Sequence, residues 1–482
     1  MDLIRGSGFR DRPGTDPYRR GSRRGRALVA ATVLAGMVVG ADTSFGADGS
    51  PRTGMAAYAA EAGGGSFDVT GYDITMNYQP DTRTFRGTTV VSATATEALD
   101  SFTLDLSGPT VRSVTVDSQA VKSFSRTGEK DLVIVPATPI GRGAGFRVRV
   151  EYDGTPGAGW FPTASGGATA FEGSSSAWFP VHEDAHDKAA FHLAATVPDG
   201  WSVVSIGRER PVRRDSTTAT FDWTEPDVDP ADIAVSIDRF TIERSALADG
   251  TPVVNAYAPG LQESTEPLAD RLPEILEFLS GEFGRYPFRA AGNVFVQVDD
   301  DAPATAPQTR PVYLGAGNKQ FMTLDAVVHE QTHQWYGVSA AARRPEDDCL
   351  AECFAAYATW LWDEAKDGAD LDARYREQVN AKKGDADFWK ELYRPGEAPG
   401  INEYGKGPLA LHALRRQVGD KAFYRLIKQW PQEHRGDYVD WPQFEAFAEK
   451  VTGQDLTGFF QAWFRGATVP ADQYLWPGTL KP

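Results

Sequence analysis

Val327-Val328-His329-Glu330-Gln331-Thr332-His333-Gln334-Trp335-Tyr336-Gly337 is the stretch from which the rest of the chain can be read. Leu324, Val327, Val328 and Trp335 recur at helical spacing and Gly337 supplies a stop, so the sequence predicts a helix here. Side chains four apart on a helix stand one above the other. The imidazoles of His329 and His333 can therefore reach one cation, while Glu330 points beside them toward its water. That is a hydrolytic geometry, with one zinc ion per chain as the expected cofactor. A third ligand is expected nearby: Glu352 follows His333 by 19 positions on a second apolar-periodic helix, from about Leu350 to Trp362. Three protein ligands leave the fourth position open for water.

The short motif occurs twice, because His182-Glu183-Asp184-Ala185-His186 has the same spacing. This copy follows Trp178-Phe179-Pro180, lacks apolar helical periodicity and runs into the alternating segment Ala190 to Val197, so it reads as a polar loop. His192, His412 and His434 lie outside any ligand spacing and read as surface or packing residues.

Outward from the motif, the texture divides in two. From about residue 66 to 258 the chain shows short alternating segments, such as Phe67 to Met76, Thr88 to Thr94 and Phe146 to Tyr152, separated by Gly, Pro and Asp. From 259 to 482 helical periodicity takes over, with Leu272, Ile275, Leu276 and Leu279 on one face and a strand-like Asn293 to Val298. A β-rich domain followed by a mostly helical one is expected.

Arginines at 19, 20, 23, 24 and 26 precede an apolar run from Ala27 to Ala41. The run is shorter than the roughly 20 residues of a membrane span, so 1–47 reads as a signal peptide and 48–65, rich in Gly and Ala, as a flexible leader. The expectation is a secreted or extracytoplasmic protein without stable membrane insertion. The 482 residues carry a net charge of −17, and removing the first 47, with their eight arginines and four aspartates, leaves a more acidic body. Such a body repels phosphate backbones, which argues against nucleic acid as a partner.

Only two cysteines occur, Cys349 and Cys353, at helical spacing around Glu352. In an exported protein they can form a bridge; otherwise they are two small buried thiols. Asp347 and Asp348 precede Glu352 and are expected to cap its helix, with hydrogen bonding near the ligands as the other role.

His-Glu-x-x-His, eighteen residues, then Glu is the signature of the gluzincins, and its surroundings resemble the aminopeptidase N family, which includes the leukotriene hydrolases. Gln334-Trp335-Tyr336-Gly337 is similar to the family's Gln-Trp-Phe-Gly, Gly284-Arg285-Tyr286-Pro287-Phe288 to its Gly-x-Tyr-Pro-Phe, and Trp178-Phe179-Pro180 with Asp187-Lys188 to an element of its N-terminal domain. The resemblance implies a β-sandwich-like domain followed by a thermolysin-like, mostly helical zinc-peptidase domain, an α+β multidomain fold. It implies peptide or protein substrates, and a short form without the C-terminal helical domain of longer members. Tyr404-Gly405-Lys406-Gly407 corresponds to the family's Tyr-x-Lys-Gly, which makes the Tyr404 phenol a candidate oxyanion donor.

One departure bears on substrate choice. The place of the family's amine-binding glutamate falls on Ala306, followed by Pro307, and alanine cannot make that charge-assisted contact. Glu172, one position out of register with a second amine-binding residue, could compensate, whereas the run Asp299-Asp300-Asp301 reads first as a solvated turn and only second as a substitute anchor. The expectations are an aminopeptidase with another amine anchor, an oligo- or endopeptidase with the same chemistry, or a zinc-containing binding protein without turnover.

Overall fold

In Thr84–Ala95, and in Phe67–Gln79 on either side of a bulge between Val69 and Gly71, every second side chain is buried, as a strand with one face on a core requires. A computed structural model describes residues 65–183, 187–298, 304–316, 319–320, 322–397 and 401–482. The expected signal peptide, Asp299-Asp300-Asp301 and His186 lie outside them. The two strands belong to an eight-stranded sheet in the order 208–214, 218–228, 189–198, 67–79, 84–95, 145–154, 110–116, 119–120. Its inward side chains, among them Ile74, Val91, Val150 and Leu193, share one core with Leu104 and Ile134 from a three-stranded sheet. Trp178 and Phe179 are fully buried in the same core.

A second, five-stranded sheet links this β-rich part to the helices. Its strands are β1 (Thr241–Ala246), β2 (Pro252–Tyr257), β3 (Ala291–Val298), β4 (Val312–Ala316) and β5 (Lys319–Gln320), in that order. Strands β2, β3 and β4 run parallel. Val254, Ala256, Val294, Val296 and Leu314 face the β core, whereas Val253, Tyr257, Phe295 and Tyr313 face the helical core. A central strand buried on both faces carries apolar side chains on each, which is why Val294-Phe295-Val296 shows no alternation. Strands β1 and β2 precede residue 259 yet the sheet continues into β3 beyond it.

Among the helices of the far side are α1 (Leu272–Phe283), α2 (Leu324–Thr332), α3 (Glu352–Asp367), α4 (Lys406–Val418) and α5 (Trp441–Thr452). Thr323 caps α2 by accepting the Ala326 N–H at 3.1 Å. Helix α3 starts at Glu352 rather than Leu350, because Pro345–Leu350 winds as a tighter 3₁₀ segment ahead of it. The capping expectation for Asp347 and Asp348 is thereby corrected: Ala351 precedes α3 with no side-chain cap, and Asp347 instead accepts the Trp441 N–H of α5 at 2.9 Å. The molecule is thus an N-terminal β-rich domain and a C-terminal helical domain. Among the described residues no helix is long and apolar enough to cross a membrane.

Candidate metal centre

Helix α2 buries Val327 and Val328 against the helical core and thereby turns His329 and Glu330 toward α3. His333 ends the helix. The chain then turns sharply, and Gly337, at φ 115°, lies so close to His333 that a Cβ there would stand 3.2 Å from Nδ1 and 3.0 Å from the Ala351 Cβ. The turn also lets the Tyr336 carbonyl reach His333 Nδ1 at 3.1 Å. A carbonyl only accepts, so Nδ1 carries the proton and Nε2 presents its lone pair to the site.

His329 Nε2 and His333 Nε2 are 3.2 Å apart, and Glu352 Oε2 lies 3.2 Å from the first and 3.7 Å from the second. A tetrahedral zinc ion with bonds of about 2.1 Å holds neighbouring donors about 3.4 Å apart, so the three atoms fit that ion. They are the one His/Cys/Asp/Glu group among the described residues with the spacing to hold a metal. Burial opposes the charge of Glu352, but His333, His329 and the Tyr404 hydroxyl outweigh it and hold the carboxyl down to about 2. It is an anion matched to a dication.

Glu330 is buried, and burial pushes its carboxyl up to about 7, with His329 opposing the shift and Glu352 adding to it. A carboxyl poised near neutrality is suited to accept and return a proton. Tyr404 stacks on the His329 ring at 5.8 Å, and burial with the surrounding carboxylates, Glu352 foremost, keeps its phenol protonated. Lys406, fully buried, donates to the carbonyls of Trp389, Lys390 and Gly466 at 2.8–3.1 Å, which anchors the turn that carries Tyr404. The sequence singled out the tyrosine but not this anchor.

Cys349 and Cys353 are joined by a disulfide, Cα to Cα 4.7 Å, closer than the about 6 Å of a continuous α-helix, and the chain between them is not one helix: Cys349 lies in the 3₁₀ segment and Cys353 in α3. A Cβ on Gly407 would meet Cys353 Sγ at 2.6 Å, so α4 packs directly on the bridge. Asp348 and Glu403, both buried, form a carboxyl pair beside Glu352 that repels ionisation and raises both groups well above the carboxylate range, after burial itself. Only their burial, invisible in the sequence, reveals the pair.

Glu172 comes from the β-rich domain and is brought to the site: burial, then Glu352, Asp348 and Glu330, push its carboxyl up to about 8. Ala306 is buried, and the Gln334 amide holds its segment by donating to the Pro307 carbonyl at 3.1 Å and accepting the Thr309 N–H at 2.6 Å. The other copy of the motif is put to different use. The His182 ring stacks on Phe67 at 4.4 Å, and Glu183 accepts from the Ser176 N–H and from Lys130 at 2.8 Å each.

The peptidase family M1 domain matches residues 316–463. The chain is 24% identical over 452 residues to aminopeptidase N of Lactococcus lactis subsp. lactis, covering 84% of this chain and 52% of the relative. To aminopeptidase N of Streptomyces lividans it is 23% identical over 325 residues, 60% of this chain and 37% of the relative. It thus spans about half or less of the length of these relatives. The M1 zinc metallopeptidase of Deinococcus radiodurans has the same fold, at TM-score 0.75 and 23% identity over 87% of this chain and 99% of that one. A mutant of that protein bound to a Tyr-Ser-Ala substrate aligns at TM-score 0.73 and 22% identity, over 87% of this chain and 99% of that one. The match to the peptidase family M1 domain thus covers most of the helical half of the chain, and the zinc-compatible donor set of His329, His333 and Glu352 lies inside it.

Proposed function

We propose that this protein is an exported zinc-dependent peptidase that hydrolyses peptide bonds by direct attack of water, with His329, His333 and Glu352 as zinc ligands. The observation that carries the reading is the convergence of those three donors with the buried Glu330 carboxyl next to them in sequence. When bound, zinc polarises the scissile carbonyl and acidifies the attacking water. Glu330 takes the water proton and passes it to the leaving amine. Tyr404 donates its hydroxyl to the oxyanion of the tetrahedral intermediate. No covalent intermediate on the protein is needed. The leader pattern of residues 1–47 supports export.

The substrate mode we favour is removal of N-terminal residues, with Glu172 as the anchor for the free α-amine. Glu172 is the acidic side chain of the β-rich domain that interacts with Glu352, Asp348 and Glu330, so an ammonium group there relieves its confinement among like charges. The Tyr-Ser-Ala substrate of the Deinococcus relative is in keeping with a short peptide in this fold. The second reading, an oligo- or endopeptidase, is favoured by Ala306, which offers an ammonium group no partner. Incubating the purified protein with matched peptides bearing free or acetylated N-termini and locating cuts by mass decides between them. Cleavage of the free series alone is the expected result, cleavage of both means an endopeptidase, and cleavage of neither with zinc bound means a binding protein.

A further inference from the structure

Between the central sheet and α2, three amide side chains are hydrogen-bonded in a row. Asn255 on β2 and Asn293 on β3 are direct partners in the parallel register, and Asn293 Nδ2 donates to Asn255 Oδ1 at 2.9 Å. Gln331 Nε2, on α2, donates to Asn293 Oδ1 at 3.0 Å and to the Gly292 carbonyl at 3.1 Å. Asn293 and Gln331 are fully buried and Asn255 is 7% exposed. The Tyr313 hydroxyl, from β4, lies beside the Gln331 amide. Gln331, next to Glu330 on α2, thus ties the helix to β3 directly and to β2 through Asn293.

Burying amides at such a place costs free energy, the more so because Gln331 Oε1 and the Tyr313 hydroxyl are buried there without a hydrogen bond, whereas aliphatic side chains would stabilise the layer outright. What amides add is direction. Apolar contact tolerates sliding and rotation of a helix on a sheet, and α2 has only nine residues with which to resist either. A slip by one residue moves a helix about 1.5 Å along its axis and turns it by about 100°, which would break all the Gln331 bonds together. A misplacement of about 1 Å can cost on the order of a hundredfold in rate.

We propose that Asn255, Asn293 and Gln331 form a ladder that fixes the seating of α2 on the sheet, making Gln331 a positioning residue for Glu330 and for the imidazoles of His329 and His333. The inference rests on the metal-centre reading above, and zinc affinity tests it whether or not peptides are cleaved. Gln331→Leu and Asn293→Leu, alone and combined, are compared with Leu279→Ala, a cavity in α1, an element that contributes no residue to the ladder. The readouts are zinc Kd by chelator competition, thermal midpoint, and kcat and KM on a cleavable peptide.

Each ladder variant is expected to bind zinc about tenfold more weakly and to lower kcat about tenfold or more with KM within about threefold. The double variant should be no worse than the weaker single by more than about twofold, since one ladder is cut either way. Asn255→Leu cuts the rung farthest from α2 and should show a smaller shift in the same direction, which keeps the test open if Gln331→Leu does not fold. Zinc affinity and kcat unchanged in folded Gln331→Leu or Asn255→Leu overturn the proposal. So does an equal loss in Leu279→Ala at matched thermal midpoint, which would make it general destabilisation.

Discussion

His182-Glu183 and His329-Glu330 open the same five-residue pattern, yet one ends in hydrogen bonds to its own domain and the other in a donor set spaced to hold a metal ion. The first follows the buried Trp178-Phe179-Pro180, where His182 gives its ring to Phe67 and Glu183 gives both oxygens to Ser176 and Lys130. The second sits on a capped helix held against a sheet. Its ring nitrogens converge, and Glu330 is left with burial and no cation of its own beyond His329 to offset it. What separates the copies is the helix that stacks residues four apart and the neighbouring helix that supplies Glu352.

The largest contrast between them is in metal content. His333→Ala removes a donor and leaves two, so bound zinc measured by atomic emission should fall from one per chain to near zero at micromolar protein, with peptidase activity lost. His182→Ala should keep one zinc per chain and wild-type kcat. Zinc retained in the first variant, or lost in a folded second variant, would reassign the metal to the wrong copy.

The glutamates come next. Glu330→Gln keeps the shape and removes the base, so kcat should fall on the order of 10²–10⁴-fold while zinc stays bound. Glu183→Gln should leave kcat within about twofold, because it faces Lys130 on the β-rich domain. Tyr404→Phe removes a single hydroxyl at the first site, and loss of one oxyanion donor should cost kcat about 10²–10³-fold with KM little changed. If KM rises instead and kcat holds, the phenol binds ground-state substrate.

Much of this was legible before the fold was known, because helical periodicity around 324–335 and the Glu at 352 are local signals that burial later obeys. The start of α3 was not. Apolar residues at 349 and 350 look helical, but the Asp347 carboxyl is drawn to the Trp441 N–H some ninety residues on, and a tighter turn results. The Asp348–Glu403 pair, the Lys406 anchor and the Gln331 ladder were invisible for the same reason. Each depends on a partner brought close by tertiary packing, and a polar residue within an apolar segment does not announce whether it faces solvent or a buried partner.

Glu172 tests whether the metal copy also acquired its own substrate anchor from the other domain. Glu172→Gln keeps hydrogen bonding and removes charge, so KM for free-amine peptides should rise about tenfold, the worth of one charge-assisted bond. Any residual cleavage of acetylated peptides should not change. Equal effects on both series would place Glu172 away from the amine.

The smallest effect is the one that asks what the other copy is for. Glu183→Ala strips the acceptor from the Ser176 N–H, at the short 3₁₀ turn 175–177 packed in the β core, and from Lys130, whose side chain is 40% exposed. The exposed ion pair contributes little, so most of the loss comes from the N–H left without its carboxylate, and stability should fall by about 1–2 kcal/mol. Chemical denaturation with the midpoint shifted and the slope unchanged would register it. Zinc content and kcat should stay at wild-type values. A stability loss accompanied by a lost zinc ion would mean that this carboxylate reaches across to the metal centre after all, and the two copies would no longer be independent.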